Sequence, residues 1–368
     1  MSRQTLGRVL TAVLLCLGTT ASAQMPQPHP GAMHTYYIAA DEVTWNYAPR
    51  GRNLTGTPQV EEVEPSSTTI RAPKYLKAVY REYTDATFKA LKPRALEWEH
   101  LGILGPLIRA EVGDTVRVFF KNNTKIICTM HPHGFAYNKS SEGALYSDGT
   151  SNSDKEDDAI PPGGTYTYIW SVPERAGPGP HDPSSTVWMY HSHFVEPKEM
   201  NAGLLGPIIV SRRGSTKPDG TPKDVDREFI TAFAIFDETE SAYFEANLAS
   251  KRKYSPNLRV VDPIFWKLNL MYSINGFIEG NLPMLTMKRG EHVRWYLLSN
   301  SNEDDVHAAH WHGETAISNN MRTDTVSLTP MAMAVADMVP DNVGTWLFHC
   351  HVNEHFQGGM AALFTVVQ

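Results

Sequence analysis

Cysteine is scarce in this chain: three occur in 368 residues, Cys16, Cys128 and Cys350. Cys16 falls in a segment that reads as removed on export, and the two remaining thiols do not make a disulfide scaffold. Long apolar stretches with helical periodicity are absent, which argues against a helix bundle. No apolar run reaches the roughly 20 residues that cross a bilayer. Basic tracts are missing as well. With 33 Lys+Arg against 40 Asp+Glu the formal charge is −7, so nucleic acid is not an expected partner. Pro and Gly, at 25 and 26 residues, stay far below collagen-like levels. An apolar share of 41% is enough for packed cores.

What is present begins with a leader. Arg3 and Arg8 precede an apolar run from Val9 to Leu17, and Ala21-Ser22-Ala23 follows. This order predicts a signal peptide over residues 1–23 and an exported protein, periplasmic or extracellular. A lipoprotein cut at Cys16 is disfavoured by the bulky Leu15 before it. The rest of the chain consists of short apolar runs between turn signals. Strands are expected at Thr115–Lys121, Thr165–Val172, Leu204–Ser211, Glu228–Phe236, His292–Leu298, Thr345–Val352 and Met360–Val367. A short helix is expected near Asp85–Leu91. The fold class is all-β.

The chain also repeats. The stretch from Gly113 to Asn123 resembles that from Gly290 to Asn300, and each is followed by His-x-His-Gly, at His131 and at His310. Each half then supplies a second His-x-His, at His191 and His349, and closes on an apolar strand. Such repetition implies two related domains, spanning 34–211 and 227–368, with the polar segment 212–226 as linker.

Histidine is the residue in excess, 15 in all. Ten of them sit in four motifs: His131-Pro-His133, His191-Ser-His193, His307-Ala-Ala-His310-Trp-His312, and His349-Cys350-His351 with His355. Residues i and i+2 of a strand share a face, so each His-x-His presents two imidazoles side by side. In His349-Cys350-His351 the imidazoles face one way and the thiolate the other. Cys350, His355, Met360 and His307 make a Cys-His₂ set with a soft axial thioether, the donor set of a blue-copper electron-transfer site. The other eight imidazoles divide evenly between the halves and suit a three-copper cluster shared by two domains.

These motifs resemble those of the multicopper oxidases, in particular their ceruloplasmin-like members, over nearly the whole mature chain. Tyr36-Tyr-Ile, Thr44-Trp-Asn-Tyr, Leu104-Gly-Pro-Leu-Ile, Glu142-Gly-Ala-Leu-Tyr and Gly203-Leu-Leu-Gly-Pro-Ile-Ile add to the likeness. The resemblance implies two cupredoxin-like Greek-key β-barrel domains and four coppers per chain. His307, Cys350, His355 and Met360 would hold the type 1 copper, and His131 and His310 the type 2 copper. His133, His191, His193, His312, His349 and His351 would hold the type 3 pair. The first half departs from the type 1 pattern, with Cys128, Ser192 and Pro197 where His, Cys and His would stand. The type 1 copper is therefore expected in the second half alone, which also separates the chain from copper nitrite reductases. By the same resemblance, copies would assemble head-to-tail as a homotrimer, each cluster lying between neighbouring chains.

The implied activity couples oxidation of a small reducing substrate to reduction of O₂ to water. Phenols and aromatic amines, in the manner of laccases, stand first. Fe(II) or Cu(I) oxidation is the alternative, and a non-catalytic copper-binding shell the distant one. Asp148 resembles a proton-relay carboxylate of laccases, while a second such position is Asn353 here. Glu354 adjoins His355 where ceruloplasmin-like ferroxidases place an iron-binding carboxylate. Lys267 and Tyr272 replace a Glu and a His of those enzymes, which argues against iron. Glu303-Asp304-Asp305 reads as a solvated loop, and Met331, Met333 and Met338 read as core.

Overall fold

The structure is a computed structural model that describes residues 31–57, 74–254, 256, 258–261, 263–300 and 306–368. The expected leader and Glu303-Asp304-Asp305 lie outside the described residues.

Strand formation follows side-chain alternation. In Thr115–Asn122 the residues Val116, Val118 and Phe120 point into a core while Thr115, Arg117 and Phe119 point away, the period of a half-buried strand. This strand belongs to a four-stranded sheet ordered Lys74–Glu82, Met33–Asn46, Thr115–Asn122, Thr165–Ser171. A second four-stranded sheet runs Ile108–Glu111, Leu205–Ser211, Ser185–His191, His131–Pro132. Ile38, Val118, Trp170, Tyr190 and Ile208 belong to the core of this half.

Residues 227–367 repeat the plan. A six-stranded sheet contains Leu270–Ile274, Arg227–Asp237, Val293–Asn300 and Met333–Met338 in the same order, extended by Ala316–Ser318 and Met321–Thr323. A five-stranded sheet contains Leu285–Lys288, Ala361–Val367, Gly344–Cys350 and His307–Trp311, extended by Thr325–Leu328. Even the parallel pairs recur: Met33–Asn46 with Thr115–Asn122, then Arg227–Asp237 with Val293–Asn300. Trp295, Trp311, Phe348 and Phe364 belong to this second core.

Among the described residues no strand before 212 pairs with one after 226, yet the halves are not separate bodies. A third core joins them, with Tyr47, Tyr75, Val187 and Ile209 on one side and Ile230, Phe236, Tyr296 and Leu298 on the other. Val293–Asn300 is therefore buried along both faces. Polar groups in the same interface are paired: Lys77 Nζ bonds Glu238 Oε1 at 2.6 Å and Tyr47 OH reaches that oxygen at 2.6 Å.

The seven expected strands form, each within two residues of its expected ends. The helix near Asp85–Leu91 does not. Asp85 Oδ1 accepts Thr87 N at 2.8 Å and Thr87 Oγ1 at 2.5 Å, a local turn that competes with helical hydrogen bonding. Met331 and Met333 pack on the inter-half core and Met338 is buried in the second, as read from sequence. Among the described residues no helix is long and apolar enough to cross a membrane.

Candidate metal centres

The thiol-bearing site is assembled at one end of the second sandwich. Cys350 is the last residue of strand Gly344–Cys350, His307 opens strand His307–Trp311, and His355 sits in the one-turn helix Asn353–Gln357. One donor atom from each lies within 4.8 Å of the others, and all three residues are buried. Cys350 Sγ is 3.5 Å from His355 Nδ1 and 3.9 Å from His307 Nδ1, and the two Nδ1 atoms are 3.2 Å apart. Three donor atoms converging this closely suit a soft cation. Met360 is fully buried in the same core, and its N–H donates to the His355 carbonyl at 2.9 Å. The helix turns back tightly because Gly358 lies against Tyr272, where any Cβ would come 2.3 Å from the ring. Burial pushes His307 down to about 3, so its imidazole is neutral and able to ligate.

Two further imidazole groups are near-copies of each other. His131 stands directly opposite His191, and His310 opposite His349. His131 Nδ1 donates to the Glu142 carbonyl at 2.7 Å, and His310 Nδ1 to the Asp324 carbonyl at 2.9 Å. His191 Nδ1 donates to the Ser192 carbonyl at 3.0 Å, and His349 Nδ1 to the Cys350 carbonyl at 2.8 Å. Each of these bonds fixes the ring and leaves Nε2 as the lone-pair atom, the usual support of a metal-binding histidine. The Nε2 atoms of His133 and His191 then face each other at 3.0 Å, and those of His312 and His349 at 3.1 Å. Ring nitrogens facing each other this closely, with His191 and His349 each offering a lone pair, fit a shared cation. Burial, reinforced by neighbouring imidazoles, lowers His133 and His349 to about 4.

His193 completes the first quartet, 5.1 Å from His131 between ring centres, and His351 completes the second, 5.0 Å from His310. Among the described residues ring contacts run within each quartet, and none joins one quartet to the other. His312 and His351 are exposed. Beside His131 and His133 opens a cleft of about 410 Å³ lined also by Phe135, Tyr137 and Arg175. The division expected along His349-Cys350-His351 is observed: the ring of His349 meets His312, while the thiol turns to His307 and His355.

The two singled-out carboxylates, Asp148 and Glu354, have different surroundings. Asp148 meets Lys155 Nζ at 2.9 Å and Lys139 Nζ at 3.1 Å, and accepts Thr150 N at 2.9 Å. These partners hold its carboxyl far below the usual range. A relay group must take up a proton, and two ammonium groups oppose that, so the structure argues against a relay at Asp148. Asp157, which the sequence reading passed over, is buried and accepts Gly143 N at 2.7 Å; burial lifts it to about 6. Nothing in the local run Asp154-Lys155-Glu156-Asp157-Asp158 sets it apart from its acidic neighbours. Glu354 is exposed and accepts Tyr272 OH at 3.2 Å, and the Tyr272 ring lies 5.5 Å from His355. Lys267 is exposed at the end of the short helix Pro263–Lys267. Cys128 is a buried, inert thiol whose pKa burial pushes far up.

Two profiles of the family described as "Multicopper oxidase" match residues 255–368 and 100–215. Rat hephaestin is 40% identical over 349 residues, covering 92% of this chain and 30% of its own length. The human protein named Ferroxidase HEPHL1 is 41% identical, covering 90% of this chain and 29% of its own. Human ceruloplasmin is 41% identical, with 90% and 32% covered. The chain thus spans about a third of the length of these relatives. A solved multicopper oxidase superposes with a TM-score of 0.59 at 20% identity, covering 91% of this chain and 89% of its own. The copper nitrite reductase of Nitrosomonas europaea gives 0.57 at 16% identity, covering 91% and 94%. At those identities the likeness is one of fold, a cupredoxin-like one.

Proposed function

The chain belongs to the multicopper oxidases, and from that premise we propose that it oxidises a small reductant, Fe(II) foremost, at the expense of O₂. The observation that carries this reading is the convergence of His307 and His355 on Cys350, whose chain neighbours His349 and His351 belong to an imidazole quartet. Copper held by these residues would supply one-electron redox chemistry, which allows four one-electron oxidations of the reductant to match the reduction of O₂, with four protons, to two waters. His307, Cys350, His355 and Met360 hold the type 1 ion. His131 and His310 hold the type 2 ion, and His133, His191, His193, His312, His349 and His351 the type 3 pair. That makes four per chain. The peptide links from Cys350 to His349 and to His351 are the shortest covalent bridges between the two kinds of site.

The order of substrates differs from the sequence expectation, which put phenols first. Relatives at about 40% identity include one named a ferroxidase, and this favours a metal-ion reductant. Glu354, exposed beside His355 and oriented by Tyr272, supplies a carboxylate where a cation would approach. Lys267 and Tyr272, at the positions where the resemblance puts a Glu and a His in ferroxidases, keep a phenol as the second reading.

The quartets support an assembly. Each opens outward without touching the other, so one chain alone does not close an eight-imidazole site. A head-to-tail contact between the first half of one copy and the second half of the next would complete it, and three such contacts close a ring. The domains of that trimer are 34–211 and 227–368, joined through 212–226, and the protein acts after export.

O₂ uptake by copper-loaded protein, measured with Fe(II) and with a methoxyphenol and corrected for spontaneous iron oxidation, tests the proposal. Faster turnover of Fe(II) is expected. Faster turnover of the phenol would restore the laccase reading, and a copper content below four per chain would break the ligand assignment.

A further inference from the structure

The second half ties its two histidine strands together through sulfur. Cys350 Sγ accepts the N–H of Ala308 at 3.4 Å, and Ala308 stands two residues before His310. Buried His307 and His355 then face the sulfur from the other side.

In the first half the same tie is made by oxygen. Ser192, between His191 and His193, accepts the N–H of Thr129 on Oγ at 2.9 Å, and Thr129 stands two residues before His131. No imidazole can back Ser192 as His307 and His355 back Cys350, because Cys128 and Pro197 occupy those places in the chain. A carboxylate does so instead. Ser192 Oγ donates to Glu199 Oε2 at 2.6 Å, the same oxygen accepts Phe194 N at 2.9 Å, and Oε1 accepts Val195 N at 2.7 Å. Thr129 Oγ1 in turn accepts His193 N at 3.0 Å and donates to the Gly143 carbonyl at 2.6 Å. Gly143 follows Glu142, whose carbonyl orients His131.

Glu199 is 2% exposed. A carboxylate buried to that degree is costly unless charge-assisted bonds satisfy it, and packing alone would be served as well by an apolar side chain. Its three donors come from residues 192, 194 and 195, which bracket His193.

We propose that Glu199, acting through Ser192 and Thr129, is a positioning residue that sets His131, His191 and His193 for copper, doing without metal what the thiol site does in the second half. The inference rests on the reading that these imidazoles hold copper, but the clamp can be tested without copper.

Hydrogen exchange on the metal-free full chain reads the clamp itself. In Glu199→Ala the amides of Thr129, His193, Phe194 and Val195 should exchange faster, while those of Ala308 and Cys350 keep their rates. Unchanged exchange at 129 and 193–195 overturns the clamp whether or not the protein binds copper. Copper titration then reads its purpose. Affinity of the imidazole-bound coppers should fall about 10–100-fold, the usual effect of losing an outer support of metal ligands, while the blue thiolate–copper absorption stays at wild-type strength. Glu199→Gln, which keeps one acceptor oxygen, should recover part of the loss. Wild-type affinity in Glu199→Ala, or equal loss of blue and imidazole-bound copper, overturns the proposal. Ser192→Ala, nearly isosteric, carries the same measurements should Glu199→Ala fail to fold. Wild-type protein that binds no copper at its imidazoles would instead defeat the functional reading.

Discussion

His131/His191 and His310/His349 are the same cross-strand pair built twice, with the same Nδ1 bonds to backbone carbonyls. Behind one pair stand Ser192 and Glu199; behind the other stand Cys350, His307 and His355. Both frames share a fixed strand register and carbonyl acceptors, while the group behind them is a buried carboxylate in one half and a thiol with two imidazoles in the other. On the proposed function, only the second version would also accept electrons from outside.

The largest expected effect breaks the comparison on its metallic side. Cys350→Ser should abolish the blue absorption and reduce O₂ uptake to background, because a hydroxyl is a poor soft-metal donor. The reciprocal Ser192→Cys should produce no blue absorption, since Pro197 and Cys128 offer no imidazoles beside it. A blue first half would show that the register alone suffices.

Next comes complementation. His133→Ala and His349→Ala should each be inactive alone. Mixed in equal amounts after dissociation, they should regain about a quarter of wild-type O₂ uptake if each cluster takes one quartet from each of two copies. No recovery from reassembled protein would place both quartets of a cluster in one chain.

A smaller effect is expected from acid. Burial lowers His133 and His349 to about 4 and His307 to about 3 from the ordinary 6.5. The unfolded chain therefore binds more protons than the folded one between pH 6.5 and about 4. Stability of the metal-free protein should fall as pH drops through that window and be flat above it with respect to these groups. Urea unfolding from pH 8 to 4 measures this, and a midpoint that rises on acidification would contradict it. The smallest effect is assigned to Asp148→Asn, which should change O₂ uptake by less than about 2-fold, as expected of a carboxylate whose partners are Lys139 and Lys155 and not the imidazoles. A large drop in turnover would reinstate the proton relay.

Much of this was legible in the sequence, because strand geometry converts an i, i+2 spacing directly into a shared face. The donor sets and seven strands followed from that rule. Met33–Asn46 and Lys74–Glu82 escaped it: Asp41, Glu42 and Lys77 interrupt their apolar runs, and Lys77 is buried only because Glu238, more than a hundred residues away, meets it. Glu199 escaped for the opposite reason. Within Glu196-Pro-Lys-Glu-Met-Asn it looks like one more charge on a solvated turn, and only the return of the chain to Ser192 shows otherwise. The Tyr272–Glu354 contact likewise joins residues that no local pattern relates.

The shared core between the halves bears on their history as well as on their chemistry. Although the eight strands of the first half all have counterparts in the second, neither copy is a portable module. Severed within 212–226, the second half would carry Ile230, Phe236, Tyr296 and Leu298 on an open face, and the first half Val187 and Ile209. Gene fragments cut there would yield sticky products instead of soluble building blocks. Grafting of either half onto another scaffold would have to bring along a replacement for the missing wall.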